Sequence, residues 1–181
     1  MGANNQDKRR ARKKARVARA KKAEARKASL PTVQVRPCNG CTACCSVFGV
    51  HEIEKQPWTD CQHQIETGCA VYQDRPAMCK SFYCLWQTGL GETFDRPDSI
   101  GVIFAPTNGK TPFTGEMEVQ AYELHEGAAL LSKPATIISR LVSKGALVIV
   151  HTHGGAKYRL MGPEKKVADA AAFFRKKTPT P

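Results

Sequence analysis

Eight cysteines carry the chemistry on offer in this sequence, and all of them fall between residues 38 and 84. They are Cys38, Cys41, Cys44, Cys45, Cys61, Cys69, Cys79 and Cys84, and the first four spell CxxCxxCC. Thiols at this density serve either as metal ligands or as disulfide staples. A Cys-x-x-Cys turn aims two sulfurs at one ion, and Cys38, Cys41 and Cys44 repeat that spacing. Three such sulfurs with one remote ligand suit a tetrahedral zinc or a four-iron cluster. Cys45 does not reach the same ion as Cys44 without strain. It reads as a ligand of a second site, with Cys61, Cys69 and either Cys79 or Cys84. The spacing leaves zinc, iron and an iron–sulfur cluster all open.

Context weighs against disulfides. The basic start of the chain is not followed by the apolar stretch of a signal peptide. No run of apolar residues approaches the roughly 18–20 needed to span a bilayer. The expected compartment is therefore the reducing cytoplasm, where stable disulfides are disfavoured.

Other chemistry is thinner. His51 and His63 lie inside the cysteine region, but the sulfurs already suffice as ligands, so both are expected at the surface. His151 and His153 are two apart on a predicted strand and share a face, without a third ligand near in sequence. No glycine-rich phosphate loop, serine nucleophile elbow or HExxH motif is present. Every cysteine has a ligand role open to it, so none stands out as a nucleophile. The sequence names no catalytic residue and leaves open whether the protein is an enzyme.

Charge is unevenly placed. The formal net charge is +12, yet residues 1–30 hold 12 Lys and Arg against only Asp7 and Glu24. Such a segment has too little apolar surface to fold alone and is expected to be a disordered basic arm. Lys8, Arg9, Arg10, Arg12, Lys13, Lys14, Arg16, Arg19, Lys21 and Lys22 are its candidate contacts to nucleic acid or another polyanion. The arm has no aromatic residue to stack on bases, so this binding is expected to ignore sequence. A plain solubilising tail is the alternative.

The elements that must position the cysteines follow. Residues 31–37 read as a proline-bounded linker. The polar, glycine-containing spacers of the cysteine region predict loops and short helical turns. Asp74-Arg75-Pro76 should start a short helix carrying Cys79. Beyond Trp86, residues 99–105 read as a strand, 116–124 as a second and 146–153 as a third. Gly154-Gly155 predicts a tight turn into a fourth strand over 156–161. A helix over 132–144 carries Ile137, Ile138, Leu141 and Val142 on one stripe, with Ser132 as its cap and Gly145 as its stop. A closing helix over 163–177 turns Val167, Ala171 and Phe174 inward. The expected fold is α+β: a small cysteine-rich metal-binding lobe (36–86) packed on a small antiparallel sheet with two helices (87–177). Lobe and sheet form one domain over 31–177, since neither alone has much core.

The combination of CNGCTACC (Cys38–Cys45), Cys61, GCAVYQDRP (Gly68–Pro76), Cys79-Lys80-Ser81-Phe82 and Cys84 resembles the YkgJ-type CxxCxxCC cysteine-cluster family. The resemblance covers about residues 36–104, including Arg96-Pro97-Asp98. The family is described as zinc- or iron-chelating, and the resemblance implies that all eight cysteines here are ligands. A related cluster in flagellin lysine N-methylases implies an iron–sulfur centre and, by analogy, a protein-modifying activity. This chain shows no evident site for a methyl donor. Sequence-nonspecific RNA or DNA binding around a structural zinc is a further expectation.

Overall fold

A computed structural model describes Arg12, residues 35–38 and residues 40–177. The chain divides into two compact units, Met1–Gln34 and Val35–Pro181. Apart from Arg12, the basic arm and its candidate contacts lie outside the described residues.

The fold is α+β. The cysteine region contains helix α1 (Ala43–Val47), a helical turn at His51–Ile53, a hairpin of β1 (Gln64–Ile65) and β2 (Gly68–Cys69), and α2 (Ala77–Ser81). None of these elements exceeds five residues, as the polar spacers predicted. There follow α3 (Pro97–Ile100), β3 (Val102–Pro106), β4 (Val119–Glu123), a helical turn at Ala128–Leu130, α4 (Ser132–Ser143), β5 (Val148–His151), β6 (Tyr158–Met161) and α5 (Glu164–Lys177).

The four-stranded sheet has the order β3-β4-β5-β6 and is mixed, not antiparallel as expected. Pairs β3–β4 and β5–β6 are antiparallel, but β4 and β5 run parallel, with Ala121 opposite Val150. The cause is α4. A helix between two neighbouring strands is a crossover, and a crossover returns the chain to the same end of the sheet. The only wholly antiparallel sheet among the described residues is the β1–β2 hairpin, where Gln64 faces Cys69.

Alternation along the strands sends side chains to two faces. One face carries Val102, Phe104, Ala121, Val148 and Val150, covered by Ile137 and Ile138 of α4. The other face is shared. At one end Ile103, with Tyr122 and Leu124, packs on the cysteine region through Ala43, Val47, Cys84 and Trp86. At the other end Leu147, Ile149 and Leu160 meet Val167, Ala170 and Phe174 of α5. β3 is buried on both faces because it lies between α4 and the cysteine region.

Several boundaries differ from expectation. Ser99 and Ile100 lie in α3, not in a strand, because Pro97 at the first helical position favours a helical turn. Gly101, in the left-handed region (φ 75°), ends that turn and releases β3. Met117 is exposed and precedes β4. Ser132 is the first residue of α4 rather than its cap, and no side chain caps the helix. Pro134 in the first turn removes one of the N–H groups that a cap would serve. In α5 the fully buried alanine is Ala170, one position before the one expected. The β5–β6 connection runs over residues 152–157 and is longer than a tight turn. No helix among the described residues is long and apolar enough to cross a membrane.

Candidate metal centre

All eight cysteines line one cavity of about 730 Å3 in the cysteine region. Each is a free thiol; Cys84 is buried and the other seven are half-buried.

Local folding places them. In α1, Ala43 and Val47 are buried against the sheet, and Cys44 and Cys45 between them line the cavity. The Cys41 N–H donates to the Cys38 carbonyl at 3.0 Å, closing the first turn of the motif. Gly40 (φ 81°) lets this turn lie against the β1–β2 hairpin, since a β-carbon there would stand 2.9 Å from the Thr67 carbonyl oxygen. Ser46 Oγ donates to Asp60 Oδ1 at 2.8 Å and lies 3.3 Å from Gln64 Oε1, drawing the Cys61 segment to α1. Glu52 accepts from the N–H groups of Ala77 and Met78 at 2.9 and 3.2 Å, anchoring the start of α2 and with it Cys79. Pro76 flanks this helix rather than opening it, and the helix stops at Ser81. That break frees Cys84 to turn inward independently of Cys79.

The thiols are electrostatically coupled. The adjacent Cys45 thiol drives the Cys44 pKa far up, and Cys44 in turn draws Cys45 down to about 7. Burial and the neighbouring Cys45, Cys41 and Cys38 reinforce the rise at Cys44, while Lys55 helps lower Cys45. Burial pushes Cys41 up to about 11, partly offset by N–H groups of Ala43 and Asp98. Burial also raises Cys79 and Cys84. Lys55 is buried, its ammonium donating to the carbonyls of Phe48 and Gln56 at 2.7 and 3.0 Å. Desolvation lowers its pKa, and Cys61 and Cys45 oppose that.

Among the described residues, no three Cys, His, Asp or Glu side chains converge closely enough to hold one ion as they stand. The donor set itself fits a thiophilic cation. Eight thiols around one cavity repel as they ionise, and a bound cation reverses that sign.

His63 is half-buried and lines the cavity, next to the Gln64–Cys69 pair of the hairpin; His51 is exposed. His151 and His153 lie away from the cavity. His151 stacks on Tyr122 with ring centroids 4.6 Å apart, and His153 meets Trp58 edge-on at 5.9 Å.

Sequence reasoning passed over Gln87, Lys55 and Tyr72. Gln87 is buried and its Nε2 donates to Cys38 Sγ at 3.2 Å. Its position three residues after Cys84, beside apolar Leu85 and Trp86, was the available signal. Burial and the neighbouring Cys38 raise the Tyr72 phenol pKa, and Arg75 lies 4.0 Å from its ring centroid.

No family model, curated protein or solved structure matches the chain.

Proposed function

We propose that this is a metal-binding protein whose eight cysteine thiolates chelate zinc or iron, with a basic arm that contacts a polyanion. The observation that carries the reading is that the only eight cysteines of the chain, drawn from a 47-residue span, all line one cavity. The resemblance of residues 36–104 to the YkgJ-type cluster, carried by the same cysteines, points the same way.

Zinc there would supply folding free energy to a region with no long element of its own. Iron, bound as a cluster, would add redox capacity. The reducing cytoplasm is where such thiolates persist without oxidation.

Elemental analysis of protein purified without oxygen tests the reading. Colourless protein with stoichiometric zinc identifies a zinc centre. Broad visible absorption with iron and acid-labile sulfide identifies an iron–sulfur centre. Metal-free protein with its sulfurs joined in pairs would overturn the proposal.

The arm is tested separately with an RNA homopolymer. The 12 Lys and Arg of residues 1–30 predict binding that weakens steeply with salt and vanishes when those residues are removed. Equal binding by the shortened chain would rule out this role for the arm.

A further inference from the structure

The proposed function leaves the division of the ligands open, and the geometry around Gln87 and α1 closes it. We infer that the eight thiols form two four-sulfur sites, one from Cys38, Cys41, Cys44 and Cys84, the other from Cys45, Cys61, Cys69 and Cys79. This inference rests on the metal-binding reading and goes beyond it by assigning every ligand.

The boundary falls at the Cys44–Cys45 peptide bond. Both residues are in α1, where successive side chains are about 100° apart around the axis. Their sulfurs can therefore serve two neighbouring ions more easily than one.

Gln87 defines the first set. Its Nε2 donates to Cys38 Sγ at 3.2 Å and to the Arg36 carbonyl at 3.3 Å. Its Oε1 accepts from the Cys84 N–H at 3.2 Å and from Cys84 Sγ at 3.7 Å. A single buried carboxamide thus spans the first and last cysteines of the chain. Cys41 joins through its turn with Cys38. Cys44 falls on this side of the boundary set at the Cys44–Cys45 peptide bond.

The second set is linked to α1 through Ser46. Ser46, next to Cys45, hydrogen-bonds Asp60, next to Cys61. The Gln64 N–H donates to the Cys61 carbonyl at 2.9 Å, and Gln64 pairs with Cys69 across the hairpin. With Cys38, Cys41, Cys44 and Cys84 assigned, Cys79 is the remaining cysteine, carried on α2, which Glu52 anchors through the N–H groups of Ala77 and Met78. Lys55 faces this set, with Cys61 and Cys45 its strongest anionic neighbours. Two tetrathiolate sites holding a divalent ion each carry a charge of −2, and Lys55 offsets part of it on the second.

The test uses full-length protein and cobalt(II) or zinc(II) as the probe, under anaerobic reducing conditions. Wild type is expected to bind two ions. The paired variants Cys38→Ser/Cys84→Ser and Cys61→Ser/Cys79→Ser are each expected to keep one ion with the cobalt spectrum of four thiolates. The mixed pair Cys38→Ser/Cys61→Ser is expected to keep no four-thiolate site. Gln87→Ala is expected to weaken the first site about 10–100-fold and leave the second unchanged.

A second measurement needs no variant. During stepwise zinc removal from wild type by a chelator, thiols are alkylated and mapped by mass spectrometry. Cys38, Cys41, Cys44 and Cys84 should become reactive together, and the other four together. Groups that mix the two sets would overturn the partition while leaving metal binding intact. Failure of wild type to bind either ion would sink the metal reading itself.

Discussion

The indole of Trp58 occupies the space over Gly155, so that a β-carbon on Gly155 would fall on the indole Nε1. This contact seats the cysteine region on the β5–β6 connection. Trp58 is itself in the left-handed region (φ 60°), uncommon for a bulky residue, and its N–H donates to the Val47 carbonyl at 2.9 Å. The ring also packs near Tyr122 of β4 and His153.

Gly154 and Gly155 allow this contact to be weighed. Both have positive φ, 76° and 71°, but a β-carbon on Gly154 would meet nothing within 4 Å. Gly154→Ala should cost only the backbone strain, about 1–2 kcal/mol. Gly155→Ala should cost about 1–3 kcal/mol more, because the indole must move. Equal unfolding midpoints for the two variants would show that Trp58 does not bear on this connection.

Glu118 pins the start of the parallel pair. Its side chain is buried; Oε2 accepts from the buried Leu147 N–H at 2.8 Å and Oε1 from Lys166 Nζ at 2.9 Å. The Val119 N–H in turn donates to the Leu147 carbonyl at 3.0 Å. Glu118→Ala strands an N–H group and part of an ion pair, and should cost about 2–4 kcal/mol in urea unfolding. Glu118→Gln keeps an acceptor for Leu147 and should cost less. Glu116 also binds Lys166 but is exposed, so Glu116→Ala should be nearly silent. Comparable losses at positions 116 and 118 would contradict the account.

His151 predicts a pH dependence. Burial lowers its pKa below the ordinary 6.5, and its Nε2 lies 3.0 Å from Gln120 Oε1. The unfolded chain therefore takes up this proton first as pH falls. The contribution of His151 is full above the unfolded pKa, declines as pH drops through about 6.5, and levels off below the folded pKa. His151→Gln keeps a polar partner for Gln120 and removes the titration. Its denaturation midpoint should fall less than that of wild type between pH 7.5 and pH 5. Because both proteins carry the same cysteines, thiol protonation cancels in the comparison, and parallel declines would exclude His151 as the cause.

What could be read in advance depended on how local the signal was. The stripe of Ile137 and Ile138 found α4 because helical packing repeats within four residues. The apolar run Val148–Val150 found β5 for a similar reason. The parallel pairing of β4 and β5 was not legible, since it depends on where a crossover docks. Nor was the burial of Glu118 and Glu123, whose partners Leu147 and Arg159 lie 29 and 36 residues away. The same limit governed the cysteines. Their number and compactness were plain, but whether Cys79 or Cys84 joins Cys45 turns on Gln87, which touches Cys38 across 49 positions.

If the thiols hold metal, its removal should loosen one region and spare another. The cysteine region owes its order to elements of five residues or fewer and to a core shared with β3. The face of the sheet covered by α4 has a core of its own. Zinc stripped by a chelator under reducing conditions should therefore raise hydrogen exchange in residues 38–84 while amides of β4 and β5 stay protected. Readdition of zinc near pH 7 should release protons into weakly buffered solution, because burial keeps Cys41, Cys79 and Cys84 protonated without metal. The apparent affinity should accordingly fall as pH is lowered. Unchanged exchange in residues 38–84 after complete zinc removal would mean that packing alone holds the region and that metal has no structural part there.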